Sequence, residues 1–137
     1  MRKFLPALLF ASLIAFVLIL FNRRQSDSSA SAQATEVKVE AQDLLSEYMK
    51  DEAGANEKYL NKIVEVKGTV AATHRDDGRG AYVVLRAGST TKAVRCKLDS
   101  RATHRRKEFH EGEKVTLKGI CTGLVGDVEL VQCVEVR

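Results

Sequence analysis

A chain of 137 residues with 45% hydrophobic residues, three cysteines, one proline and no tryptophan can bury one modest core, and the 97 residues from Ala41 onward are too few for two domains. Its formal charge of +4 and pI near 9.1 do not by themselves argue for a polyanion ligand. Arg2, Lys3, Arg23 and Arg24 flank an apolar segment, and the remaining 18 basic residues meet 18 acidic ones, so the chain from Gln25 on is formally neutral.

Phe4 to Phe21 is 18 positions without a charge, about 27 Å as a helix, close to the thickness of a bilayer's hydrocarbon core. This length predicts an uncleaved transmembrane signal anchor over residues 1–21. The alternative is a cleaved signal peptide, with Ala30-Ser31-Ala32 as the small-residue cleavage site and a soluble periplasmic product. No cysteine follows the apolar run closely enough to suggest a lipid-attachment site. Residues 22–40 then read as a flexible tether. Basic residues flank the segment on both sides, but a three-residue head is easily retained inside. The expected topology is a single inner-membrane pass with the globular part in the periplasm.

Ala41 to Leu60 predicts a helix, because Leu44 and Tyr48, and Leu45, Met49 and Ala53, recur at helical spacing. Gly54 is expected to end or kink it, and the apolar stripe to plug one mouth of a barrel.

Five short runs follow: Lys62 to Val70, Ala81 to Arg86, Ala93 to Leu98, Lys114 to Thr122 and Asp127 to Val136. Most alternate with period two, as half-buried strands do. Val64, Val66 and Val70 oppose Glu65 and Lys67; Val83 and Leu85 oppose Tyr82, Val84 and Arg86; Val94, Cys96 and Leu98 oppose Arg95 and Lys97. In the last run the phase breaks at Gln132, which predicts a bulge. Asp77-Gly78 and Gly88-Ser89 suit tight hairpins. Asp99 to Glu113 has room for a helical turn or short helix, and Gly68 and Gly119 suit sharp strand bends. Three strands, an insert and a final hairpin is the order of a five-stranded OB-fold barrel, mainly β with an N-terminal helix. An open sheet or an SH3-like barrel is the competing architecture.

Within the neutral part, basic residues concentrate between Lys62 and Lys118. Tyr82, Arg86, Arg95 and Lys97 fall on the outward face of the second and third strands, where OB barrels commonly bind ligands. Arg101, Arg105, Arg106 and Lys107 cluster in the insert. Such a face is either a solvated exterior or an anionic-ligand groove. Tyr82 is its one aromatic residue in this reading, which weighs against single-stranded nucleic acid.

Cys96, Cys121 and Cys133 form no C-x-x-C pair, and His74, His104 and His110 fall in loops or the insert, so no metal site is expected. A hairpin centred on Val125 and Gly126 sets Leu130, not Cys133, opposite Cys121. If a disulfide forms, Cys96 with Cys133 is the expected pair, and three small buried side chains is the alternative. No nucleophile elbow, phosphate loop or zinc-protease motif is present, so neither catalysis, a cofactor nor a small-molecule substrate is expected.

Four stretches, Lys58 to Gly68, Val94 to Cys96, Gly112 to Gly123 with its G-x-C-x-G, and Asp127 to Cys133 with its D-V-x-L-x-x-C, resemble the tRNA_anti-like family. This is a group of OB-fold proteins found largely in Bacteroidetes and commonly exported or membrane-attached. The resemblance spans roughly Ala41 to Val136 and implies the barrel and the three cysteine positions, but no catalytic residues. The expected function is a non-catalytic, membrane-tethered OB module that binds or assembles with an envelope protein. The alternative is a binder of an anionic polymer, either single-stranded nucleic acid or envelope polysaccharide.

Overall fold

The computed structural model describes residues 35–76, 80–88, 90–102, 106 and 108–137. The expected anchor over 1–21, the tether up to residue 34, the Asp77-Gly78 hairpin tip, His104, Arg105 and Lys107 lie outside the described residues. Among those described, no helix is long and apolar enough to cross a membrane.

The elements in chain order are β1 (Val37–Glu40), α1 (Ala41–Lys50), α2 (Glu52–Tyr59), β2 (Ile63–Asp76), β3 (Gly80–Arg86), β4 (Val94–Leu98), β5 (Lys114–Val125) and β6 (Asp127–Glu135). Strands β2 to β6 close on themselves. The first half of β2 pairs with β5 and its second half with β3, both antiparallel, while β4 pairs with β3 on one side and runs parallel to β6 on the other; β6 returns to β5. Closure rules out the open sheet, and the parallel β4–β6 contact with one long strand shared between two partners is OB connectivity.

The hand-over on β2 falls at Thr69, which pairs with both Arg86 and Lys114. Gly68 precedes it because a Cβ there would meet Ala41 Cβ at 3.0 Å and Leu85 Cβ at 3.3 Å. The register then slips between Val70 and Ala72. Alternation resumes one residue out of phase, and β2 therefore runs to Asp76 instead of ending at Val70. At the other end, Gln132 adopts φ 54° and the β4–β6 and β5–β6 registers both slip beside it, the bulge that the broken phase of the last run required.

The inward side chains of all five barrel strands meet in one core. Val64, Val66, Val83, Leu85, Val94, Cys96, Leu117 and Leu130 are fully buried, each aliphatic one contributing roughly 1.5–3 kcal/mol by leaving water. Leu44, Leu45 and Tyr48 of α1, with Ala55 and Tyr59 of α2, join that core, and the two tyrosine rings lie 6.1 Å apart.

Three local expectations are corrected. The helical segment breaks at Asp51, not at Gly54. Asp51 leaves helical geometry and its Oδ1 accepts the Gly54 N–H at 3.1 Å, so the carboxylate caps α2 and Gly54 lies inside it. The turn ends the apolar stripe, leaving Met49 and Ala53 exposed. The last four residues of the stretch read as tether form β1, parallel to β2 with Val37 beside Val64 and Val39 beside Val66; the two valines pack on the barrel core. Finally, the described residues of the insert contain turns and no helix.

Candidate ligand-binding face

On β4 the pattern is strict: Val94, Cys96 and Leu98 are buried, Arg95 and Lys97 exposed. On β3, Val83 and Leu85 point inward, so Tyr82, Val84 and Arg86 take the outer side. Strand register then decides which of these meet. Tyr82 pairs with His74 on β2 and with Lys97 on β4, and Arg95 pairs with Val84 one step along.

The consequence is a cluster centred on the Tyr82 ring. The His74 ring stacks on it with centroids 4.9 Å apart and planes 23° apart, and the Arg95 guanidinium carbon lies 5.1 Å from its centroid. Arg95 is held by Asp127, Nη2 to Oδ2 at 3.3 Å, and Asp127 is fixed in turn by the Ala93 N–H at 3.0 Å. Lys97 forms no ion pair among the described residues and extends into solvent beside the rings. Of the four expected residues, Tyr82, Arg95 and Lys97 are brought together. Arg86 lies past the end of the β3–β4 ladder, 3.7 Å from Glu111, and stands apart from the rings.

His74 is the residue that sequence reasoning missed. The Val70–Ala72 slip hides the alternation and makes this stretch read as a loop; the uninterrupted Ala71-Ala72-Thr73-His74, without Gly or Pro, is the signal that the strand continues. With it, the face carries two stacked aromatic rings rather than one.

The two described residues of the insert's basic cluster, Arg101 and Arg106, are otherwise occupied. Arg101 Nε lies 3.4 Å from the buried Asp99 carboxylate. Arg106 donates to Glu113 at 2.6 Å and Glu135 at 2.7 Å, with its guanidinium 4.4 Å from the Phe109 ring centroid. That clamp fastens the insert to the barrel.

All three cysteines are buried free thiols. Cys121 Sγ lies 3.4 Å from the Tyr48 hydroxyl, Cys121 pairs with Leu130 as the hairpin register required, and Cys133 lies within side-chain reach of Cys96. Burial pushes both Cys121 and Cys133 thiols up, which disfavours the nucleophilic thiolate. Among the described residues, no group of three or more His, Cys, Asp or Glu side chains is placed to hold a metal ion.

A closed barrel of this connectivity, with its helices packed into the core and rings and cations gathered on β2, β3 and β4, is an OB-fold protein. The chain belongs to the tRNA_anti-like family, whose profile matches residues 1–135, so the match includes the N-terminal apolar segment. A crystal structure of a "putative nucleic acid-binding lipoprotein" from Klebsiella pneumoniae is similar in fold, with a TM-score of 0.60 and 20% identity over 82% of this chain and 100% of that one. A structure of a "putative aspartyl-tRNA synthetase" from Leishmania major matches at a TM-score of 0.47 and 16% identity, over 78% of this chain and 22% of that one. No curated protein matches the chain.

Proposed function

We propose that this protein is a non-catalytic OB-fold binding module that takes single-stranded nucleic acid on the outer face of β2, β3 and β4. The observation that carries the reading is the His74–Tyr82 stack with Arg95 against Tyr82 and Lys97 alongside. The exposed His74 ring on the half-buried Tyr82 ring supplies a sequence-tolerant platform for bases, and adjacent cations supply the phosphate attraction. The Klebsiella protein of like fold carries a nucleic acid-binding description, which accords with it. Residues 1–21 serve as the signal anchor and hold the barrel on the periplasmic side of the inner membrane.

A second reading, an envelope protein seated on the same face, is favoured by one observation: Arg95 and Arg86 are already matched by Asp127 and Glu111. That pairing reduces the net positive charge available to a polyanion. Fluorescence anisotropy of labelled single strands with the full-length chain at low salt separates the two. The nucleic-acid reading expects saturable binding at about tens of micromolar protein or below that weakens steeply with ionic strength. No anisotropy change under those conditions refutes it and leaves the protein partner, to be sought by crosslinking in intact cells.

A further inference from the structure

A cleft of about 620 Å³ lies between β1, the two helices and the adjoining ends of β2 and β5, and it shares no residue with the His74–Tyr82 face. Its volume is within the range of roughly 300–1,000 Å³ typical of ligand sites. Two features say what it fits.

The first is β1. All four of its residues line the cleft, and among the described residues β1 pairs with β2 and with no second strand. One row of its backbone N–H and C=O groups therefore borders no other strand among the described residues, the arrangement that accepts an added strand.

The second is charge. Most of the lining charges pair with one another: Lys38 with Glu65 at 3.4 Å, Lys58 with Glu47 at 2.8 Å and Lys67 with Glu40 at 3.8 Å. The carboxylate of Asp43, exposed in the first turn of α1, has no hydrogen-bond or ion-pair partner among the described residues. The lining thus holds one negative charge in excess and favours a cation.

We propose that the cleft receives an extended peptide segment bearing a basic side chain, laid along β1 as an added strand, with Asp43 taking the charge. Main-chain complementarity along β1 selects a peptide over a simple organic cation, and the excess carboxylate argues against an anionic polymer.

The test is calorimetric titration of the full-length chain, held in nonionic detergent, with the capped peptide Val-Lys-Val-Lys-Val and with Val-Glu-Val-Glu-Val as its charge-reversed control. Saturable binding of the lysine peptide alone is the expected result. Asp43→Asn should weaken it roughly tenfold and flatten its salt dependence, since a lost charge pair of ordinary strength shifts affinity by that order. His74→Ala should leave it unchanged. The proposal is overturned if the acidic peptide binds equally well, if no saturation is reached at millimolar peptide, or if Asp43→Asn has no effect. Competition by spermidine at equal affinity would also overturn it, by assigning the cleft to small cations.

Discussion

Cys133 occupies the space that Gly119 leaves empty. A Cβ on Gly119 would lie 2.5 Å from Cys133 Sγ and 2.9 Å from the Val131 carbonyl oxygen, so the glycine of one barrel strand and the thiol of its neighbour are a single packing unit. Gly119→Ala should therefore destabilise the fold by about 1–3 kcal/mol, the usual cost of overpacking a full core. Adding Cys133→Ala should recover part of that loss and not all, because the Val131 carbonyl remains. Urea denaturation of the two single variants and the double variant measures the coupling; strict additivity would deny the contact.

Tyr82 and His74 are partly or largely exposed, so alanine at either position should change melting temperature little. Each substitution should weaken oligonucleotide binding by about 1–3 kcal/mol if bases stack there. The double variant should lose less than the sum, since the rings form one platform. Lys97→Ala should instead lower the salt slope with little dependence on base composition. Anisotropy at two or more salt concentrations reads all three.

Acid should loosen the insert. The Glu113 carboxyl is held below its ordinary value of 4.5, first by the His110 backbone N–H and then by the Arg106 guanidinium. A carboxyl whose folded-state value is depressed contributes stability above its unfolded value and loses it as pH falls through the folded one. Melting temperature should thus decline as pH drops below about 4.5, and Glu113→Gln should flatten that decline. An unchanged acid profile in the variant would remove Glu113 from the explanation.

Burial also predicts slow thiol chemistry. With Cys121 and Cys133 pushed up and all three sulfurs inside the core, a disulfide reagent at neutral pH should react slowly with the native protein and titrate three thiols in denaturant. A count of one in denaturant, on protein isolated from an oxidising compartment without reductant, would identify a bridge. Cys96–Cys133 is then the pair to look for, since those two lie within side-chain reach of each other.

Much of the barrel could be read before any coordinates, because a half-buried strand must alternate apolar and polar residues whatever surrounds it. Val83 and Leu85 against Tyr82 and Arg86, and Val94, Cys96 and Leu98 against Arg95 and Lys97, announce both strand and orientation. The same alternation placed Tyr82, Arg95 and Lys97 on one face. It failed for His74 and for Val37–Glu40 for two different reasons. At His74 the β2 slip after Val70 shifts the phase by one residue. At β1 a four-residue strand is too short to declare itself, and it becomes a strand only when β2 supplies hydrogen-bond partners.

What the amino-acid order settled alone was the inside and outside of each long strand, since side-chain direction depends only on position along an extended backbone. Which outward residues touch was decided by register. His74 lies eight residues from Tyr82 and twenty-three from Lys97, and only the pairing of β2, β3 and β4, with the register slip after Val70, brings an imidazole, a phenol and an ammonium into one row. The β1 cleft is likewise a product of assembly, because its walls come from segments whose adjacency exists only in the folded chain.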